Sequence, residues 1–318
     1  MKKKALSLLL LTSFISLGQI IPDTKVYAEE TKVIELDKAA VEKEFQSILQ
    51  GNDPDNEIEL KPGESAPFPD WVKEIEQKNN RNLSPRVSNG TISLPNQFIY
   101  MSENSYLNKE IGSWSPGEWQ LYKKYTNPDT SFTAYVYRKK FYMDVDTGKY
   151  GYTIVFRGSE DKLDVKEDLL QVIGNIGGMQ ADDAVNFVRD LINSDRSLIN
   201  HMYFTGHSLG GYLAQWVHSE MIDGALPLGE SFSMTFNAPG FNPIANPNDS
   251  VFKEKVSSKV FNDKKGKYDS HIQNHRIKQD LLSAWGDSLG KVYHYDVRAN
   301  GVLKYYHSLD RFKELNLA

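Results

Sequence analysis

From about Thr91 onward, strand-like and helix-like segments alternate along this chain, and one strand-to-helix junction, "GHSLGG" at residues 206–211, is framed by glycines. These two features predict an α/β protein built on a largely parallel sheet. Length and composition agree: 318 residues at 40% hydrophobic content are enough to bury a full core, as one large domain with a smaller attachment.

The first element is a leader. "MKKK" precedes the apolar run "ALSLLLLTSFISLGQII" and the compact "VYA", the pattern of a secretory signal peptide cleaved after Ala28. The run falls short of the ~20 residues a membrane span needs, so export of a soluble mature chain is expected. The sequence contains no cysteine. An exported chain without disulfides must be held by its core alone, and a lipid-modified cysteine anchor is excluded. Lys2, Lys3, Lys4 and Lys25 against Asp23 give the leader +3, so the whole-chain −5 becomes −8 without it. That balance argues against nucleic acid as a partner and against attraction to anionic membranes by net charge.

Residues 29–90 are charged and broken by turn residues, as in "QGNDPDNEIELKPGESAPFPDW". They read as an N-terminal extension with helical stretches near Lys38–Leu49 and Trp71–Gln77 and linker around them. Residues 91–318 carry the α/β pattern. "SFTAYVYRKKFYM" and "KYGYTIVFRG" read as adjacent strands flanking the turn "DVDTGK". "QADDAVNFVRDLINS" has helical spacing, "NHMYFTG" is a short strand, and "GGYLAQWVHSEMI" is again helical. "SFSMTFNAPG", "QNHRIKQD" and "KVYHYDV" supply three further strands.

The glycine-framed turn is where chemistry is expected. A serine on so tight a strand-to-helix turn forces strained backbone angles, and side chains at 206 and 210 would collide with strand or helix. With glycines there, the Ser208 hydroxyl stands above the sheet edge and the following helix aims N–H groups at an anion. Serine is unreactive unless a base takes its proton and donors hold the oxyanion. In the chain order of this turn architecture, acid and base follow the serine. His307, past the last strand, is the best-placed base, with His271 and His275 as rivals. The acid belongs at the carboxyl end of a strand, where Asp280 stands, with Asp287 in the same loop as runner-up. It would hold the imidazole tautomer without being protonated itself. Oxyanion donors are expected at the N–H of Leu209 and, after the strand ending "IVFRGS", at the N–H of Ser159, with Gly158 allowing the turn and Arg157 tying neighbouring loops.

"IVFRGS", "FTGHSLGGYLAQ", "TFNAPG", the Asp280 loop and "HSLDRF" occur in an order that resembles the class 3 lipase family of α/β-hydrolases and the looser bacterial lipase-like group related to it. The resemblance covers about residues 100–315. It implies an α/β-hydrolase fold, a Ser208, Asp280, His307 triad, an oxyanion hole that includes Ser159, and hydrolysis of lipid esters; the apolar stretch at 169–180 would suit substrate presented at a membrane or micelle surface. No cofactor and no metal is implied. Two departures stand out: "TFNAPG" replaces the glycine-serine-proline usual after that strand, and "KQDLLS" lacks the proline often found beside the acid. The segment 169–180, "LLQVIGNIGGMQ", lies where class 3 lipases resemble one another in carrying a mobile lid, and its apolar side chains beside three glycines suit a hinged flap. A buried helix with a glycine-rich end fits the same residues. Two other classes stay open on sequence: a serine hydrolase of a non-lipid ester, thioester or peptide bond, and a non-catalytic binding protein on the same scaffold.

Overall fold

The first described residues, Glu57–Leu60, form strand β1 of a sheet that ends at the opposite edge with residues nearly sixty positions further on. The computed structural model describes residues 57–315 apart from 62–63, 83–91, 141–149, 160–176, 197, 199–200, 228, 243–249 and 298–305, together with residue 317. All of these fall in one compact unit, 34–318.

The remaining strands are β2 (Trp114–Ser115), β3 (Trp119–Thr126), β4 (Thr133–Lys140), β5 (Tyr150–Phe156), β6 (His201–His207), β7 (Glu230–Phe236), β8 (Ile272–Ile277) and β9 (Lys291–Tyr295). Among the described residues they make one nine-stranded sheet in the order β1-β9-β8-β7-β6-β5-β4-β3-β2. The six strands from β1 to β5 in that order pair parallel, and β4, β3 and β2 pair antiparallel. The central strands are apolar on both faces, as a sheet covered on both sides requires.

Helices α1 (Asp70–Asn82), α2 (Leu94–Asn104), α3 (Gly177–Ser194), α4 (Leu209–Ile222), α5 (Ser250–Asp263) and α6 (Asp310–Leu315) supply that cover. Alternation along each strand divides the core in two. Tyr152, Ile154 and Phe156 of β5 and Met202 and Phe204 of β6 face α3, α4 and α5. Val155 and Tyr203, with Phe232, Met234 and Phe236 of β7, face α1, α2 and α6. This is the three-layer architecture of an α/β-hydrolase.

Strand β1 and helix α1, which lie in the stretch the sequence sets apart as an extension, are built into this unit. β1 pairs with β9, and Val72 and Ile75 of α1 are buried beside Phe98 and Tyr203. Glu57, in the same strand, is 5% exposed at its side chain and pairs with buried Arg276 of β8 and with Nδ1 of His294 at 2.9 Å. The four residues alternate glutamate with Ile58 and Leu60, but the run is short and Ile58 is exposed while the Glu57 side chain is covered, so the partner strands rather than its own pattern reveal it. β2, β3, α2 and α5 likewise have no counterpart among the segments read from sequence. In α5, Phe252, Val256 and Val260 are buried at four-residue spacing in a run that also holds serines, valines and an asparagine of weak helix preference. The stretch near Lys38–Leu49, the turn "DVDTGK" and residues 169–176 of the flap segment lie outside the described residues; 177–180 open α3. Among the described residues, no helix is long and apolar enough to cross a membrane.

Candidate active site

Strand β6 runs into α4 through Ser208 alone, whose backbone sits at φ 56° and ψ −130°. A non-glycine residue there is strained by about 1–3 kcal/mol, and only surrounding contacts that over-determine the turn hold it. The contacts are main chain against main chain. A Cβ on Gly206 would stand 2.4 Å from the Gly210 carbonyl carbon, and one on Gly210 would stand 2.1 Å from the Phe156 carbonyl oxygen. A Cβ on Gly211 would stand 2.5 Å from the Ala238 side chain and 3.0 Å from the Gly206 carbonyl oxygen. The Ser208 N–H donates to the Phe236 carbonyl at 3.1 Å, and the Ser208 carbonyl accepts from Gly211 and Tyr212, starting α4. The three glycines thus let β5, β6 and the first turn of α4 meet at backbone distance.

The Ser208 hydroxyl lies 2.9 Å from Nε2 of His307, and Nδ1 of His307 lies 2.8 Å from Oδ2 of Asp280. Ser208 is 5% exposed and Asp280 fully buried. Asp280 follows β8, accepts the Leu282 N–H at Oδ1 and receives the Ser283 hydroxyl on its carbonyl. Arg276 steadies that loop by donating to the Ser283 carbonyl at 3.0 Å. A carboxylate facing Nδ1 keeps that nitrogen protonated and leaves Nε2 free to accept the serine proton. The arrangement can therefore generate an alkoxide-like nucleophile at Ser208.

Asp287 is held elsewhere: its main chain bridges to Phe241 with bonds of 2.8 and 3.1 Å. The rival histidines are also engaged away from the serine, His275 with the Tyr295 hydroxyl at 2.8 Å and His271 with the Ser231 carbonyl at 3.4 Å. Leu209 opens α4 directly after Ser208. The end of β5 lies against the turn, since a Cβ on Gly158 would come within 3.4 Å of the Ser208 Cβ, and Ser159 follows at the surface.

Three residues at the site were not singled out from sequence. Tyr106 and His207 form a bond of 3.0 Å between the phenol and Nδ1, and Nε2 of His207 lies 2.6 Å from the His307 carbonyl. Because Nε2 must donate to that carbonyl, Nδ1 accepts from the Tyr106 O–H. Desolvation, with the His307 imidazole second, pushes His207 down to about 3, consistent with a neutral ring. Burial raises the Tyr106 phenol, so it too stays protonated. Asn237, at φ 44° after β7, is the third. Strand alternation offered a signal for His207: with Gly206 turned to α4, its neighbour must point to the opposite face. Among the described residues, no group of three or more His, Asp or Glu side chains is placed to hold a metal ion.

The family described as "Phospholipase-like: Tle-like phospholipase domain" matches residues 109–303, a span that takes in Ser208 and Asp280 and ends just before His307. No curated protein matches the chain at a significant level. Solved structures similar to it include the Rhizomucor miehei lipase propeptide complex, at 18% identity over 69% of this chain and 76% of that one, TM-score 0.39. A triacylglycerol lipase from Penicillium expansum is similar at 13% identity over 62% and 77%, TM-score 0.39. Lipase II from Rhizopus niveus is similar at 16% identity over 69% and 76%, TM-score 0.30.

Proposed function

This chain belongs to the phospholipase-like family defined by the Tle-like phospholipase domain, and from that premise we propose that it cleaves acyl esters of lipids with Ser208 as nucleophile, His307 as base and Asp280 as its orienting acid. That it is a lipid ester hydrolase follows from the family; the residue roles and the mechanism are our reading. The observation that carries it is the pair of bonds at His307, 2.9 Å to the Ser208 hydroxyl and 2.8 Å to Asp280, at a serine held in a strained turn.

In this reading Ser208 Oγ attacks the ester carbonyl carbon while its proton passes to His307 Nε2. The N–H groups of Leu209 and Ser159 receive the oxyanion. Collapse expels the alcohol, which takes the proton back from His307 and leaves the acyl group on Ser208. Water then repeats the sequence, releasing the fatty acid and restoring the serine hydroxyl. The leader supports a further proposal, that the enzyme acts after export, with Glu29 as the first residue of the mature protein. The N-terminal mass of protein recovered from the medium tests that.

Purified enzyme incubated with defined phospholipids, triacylglycerols and short p-nitrophenyl esters tests the function. Release of free fatty acid by the wild type and its loss in Ser208→Ala is the expected result. Turnover of thioester or peptide substrates alone, or of nothing, would overturn the reading.

A further inference from the structure

His307 reaches the serine from just before α6, and two side chains grip the main chain at residues 306 and 307. Nδ2 of Asn237 donates to the Tyr306 carbonyl at 2.9 Å, and Nε2 of His207 donates to the next carbonyl, that of His307, at 2.6 Å. Asn237 follows Phe236, which pairs in register with His207, so the two grips come from neighbouring strand ends. The other atom of the Asn237 amide, Oδ1, accepts the N–H of Ile277 at 2.8 Å. Ile277 ends β8, three residues before Asp280, so one buried amide ties the base segment to the acid strand.

Asn237 has a φ of 44°, in the left-handed region that glycine takes freely. Asparagine is among the few other residues that tolerate this region. What the position gains by not being glycine is the amide and its two bonds. Asn237 is fully buried, where an amide contributes only if it is satisfied, and here both ends are.

We propose that Asn237 is a positioning residue for the Ser208–His307–Asp280 relay, its amide clamping the Tyr306 carbonyl alongside the His207 grip on the His307 carbonyl and locking that segment to β8. The proposal rests on the reading of Ser208 as nucleophile. An imidazole that must meet Ser208 on one nitrogen and Asp280 on the other tolerates little rotation of the backbone that carries it, and a displacement of about 1 Å costs on the order of 10²-fold in rate.

The test compares Asn237→Gly and Asn237→Asp with the wild type on a soluble short-chain p-nitrophenyl ester. Rates are expressed per serine labelled at the endpoint by a fluorophosphonate, so that unfolded protein does not enter. Asn237→Gly keeps the backbone conformation and loses both bonds. It is expected to lower kcat about 10²-fold with KM within about twofold, and to slow initial phosphonylation of Ser208 by the same factor. Asn237→Asp retains the acceptor for the Ile277 N–H and loses the donor to Tyr306. A comparable kcat loss there assigns the effect to the Tyr306 bond. A kcat within about threefold of wild type for Asn237→Gly, or a change in KM alone, overturns the clamp. Ser208→Ala run beside them separates the two ideas: if it is inactive and unlabelled, failure of the Asn237 variants removes only the clamp, whereas an active Ser208→Ala removes the functional reading itself.

Discussion

Replacing Gly210 by alanine should damage stability and catalysis together, because one methyl group would drive the first turn of α4 away from the end of β5. The new Cβ would stand 2.1 Å from the Phe156 carbonyl oxygen, 2.8 Å from its carbon and 3.0 Å from the Arg157 carbonyl carbon. Real contacts of this kind essentially never fall under 3.0 Å, so one backbone must yield by about an ångström. No flexible side chain is available to move instead. Overpacking costs about 1–3 kcal/mol, and main chain on both sides places this case near the upper end. At about 2–4 °C per kcal/mol for a domain of this size, Tm should fall by about 6–12 °C. The yielding end of β5 leads directly into Gly158 and Ser159, so kcat on a soluble ester should fall by about 10²-fold in the fraction that remains folded. Gly224→Ala is the control. Gly224 has φ +89° with nothing within 4 Å of its Cβ position, so it carries only the left-handed penalty of about 1–2 kcal/mol and should leave kcat unchanged. Thermal melts and steady-state kinetics on both variants decide the matter. A Gly210→Ala enzyme with the stability and kcat of Gly224→Ala would refute the claim that close backbone packing holds the nucleophile turn.

Ser208→Ala should lose on the order of 10⁶ in turnover while keeping its circular dichroism spectrum. Asp280→Asn should lose about 10⁴ through the wrong imidazole tautomer, and Asp287→Asn should stay near wild type; the reverse pattern would reassign the acid. Glu57→Ala should destabilise the fold by about 3 kcal/mol by leaving Arg276 buried without its carboxylate, and a second change of Arg276→Met should recover much of that in denaturant titrations. Burial, reinforced by the carboxylates of Asp269 and Asp287 against the opposing Gly290 N–H, raises Asp263 to about 7. The folded state therefore holds this proton more tightly than the unfolded chain, whose value is near 4. Stability from this group is present below pH 4 and is lost as pH rises to about 7. Asp263→Asn should accordingly raise Tm at pH 8 more than at pH 4, and an equal change at both would refute the assignment.

Local sequence determined the nucleophile turn, because its requirements are themselves local: a strand, a helix and glycines within six residues leave few other conformations for Ser208. The parallel strands at the sheet centre were legible for a similar reason, as burial on both faces forces continuous apolar runs such as "YTIVF" and "MYFT". The choice of Asp280 over Asp287 was a matter of tertiary structure. Both follow β8 in one loop, and only the fold turns the first toward His307 while the second is bound to Phe241 by its main chain. Strand β1 was hidden because its alternation of Glu57, Ile58, Glu59 and Leu60 is short and misleading: once β9 pairs with it, Ile58 is left exposed and Glu57 is covered, meeting Arg276. Alternation indicates which way His207 points, but the bonds of His207 and Asn237 were out of reach, since each ends on a carbonyl some seventy to a hundred residues away. Hydrogen bonds to main chain place no demand on the identity of the residue that accepts them, so no pairing of residue types in the sequence records that they exist.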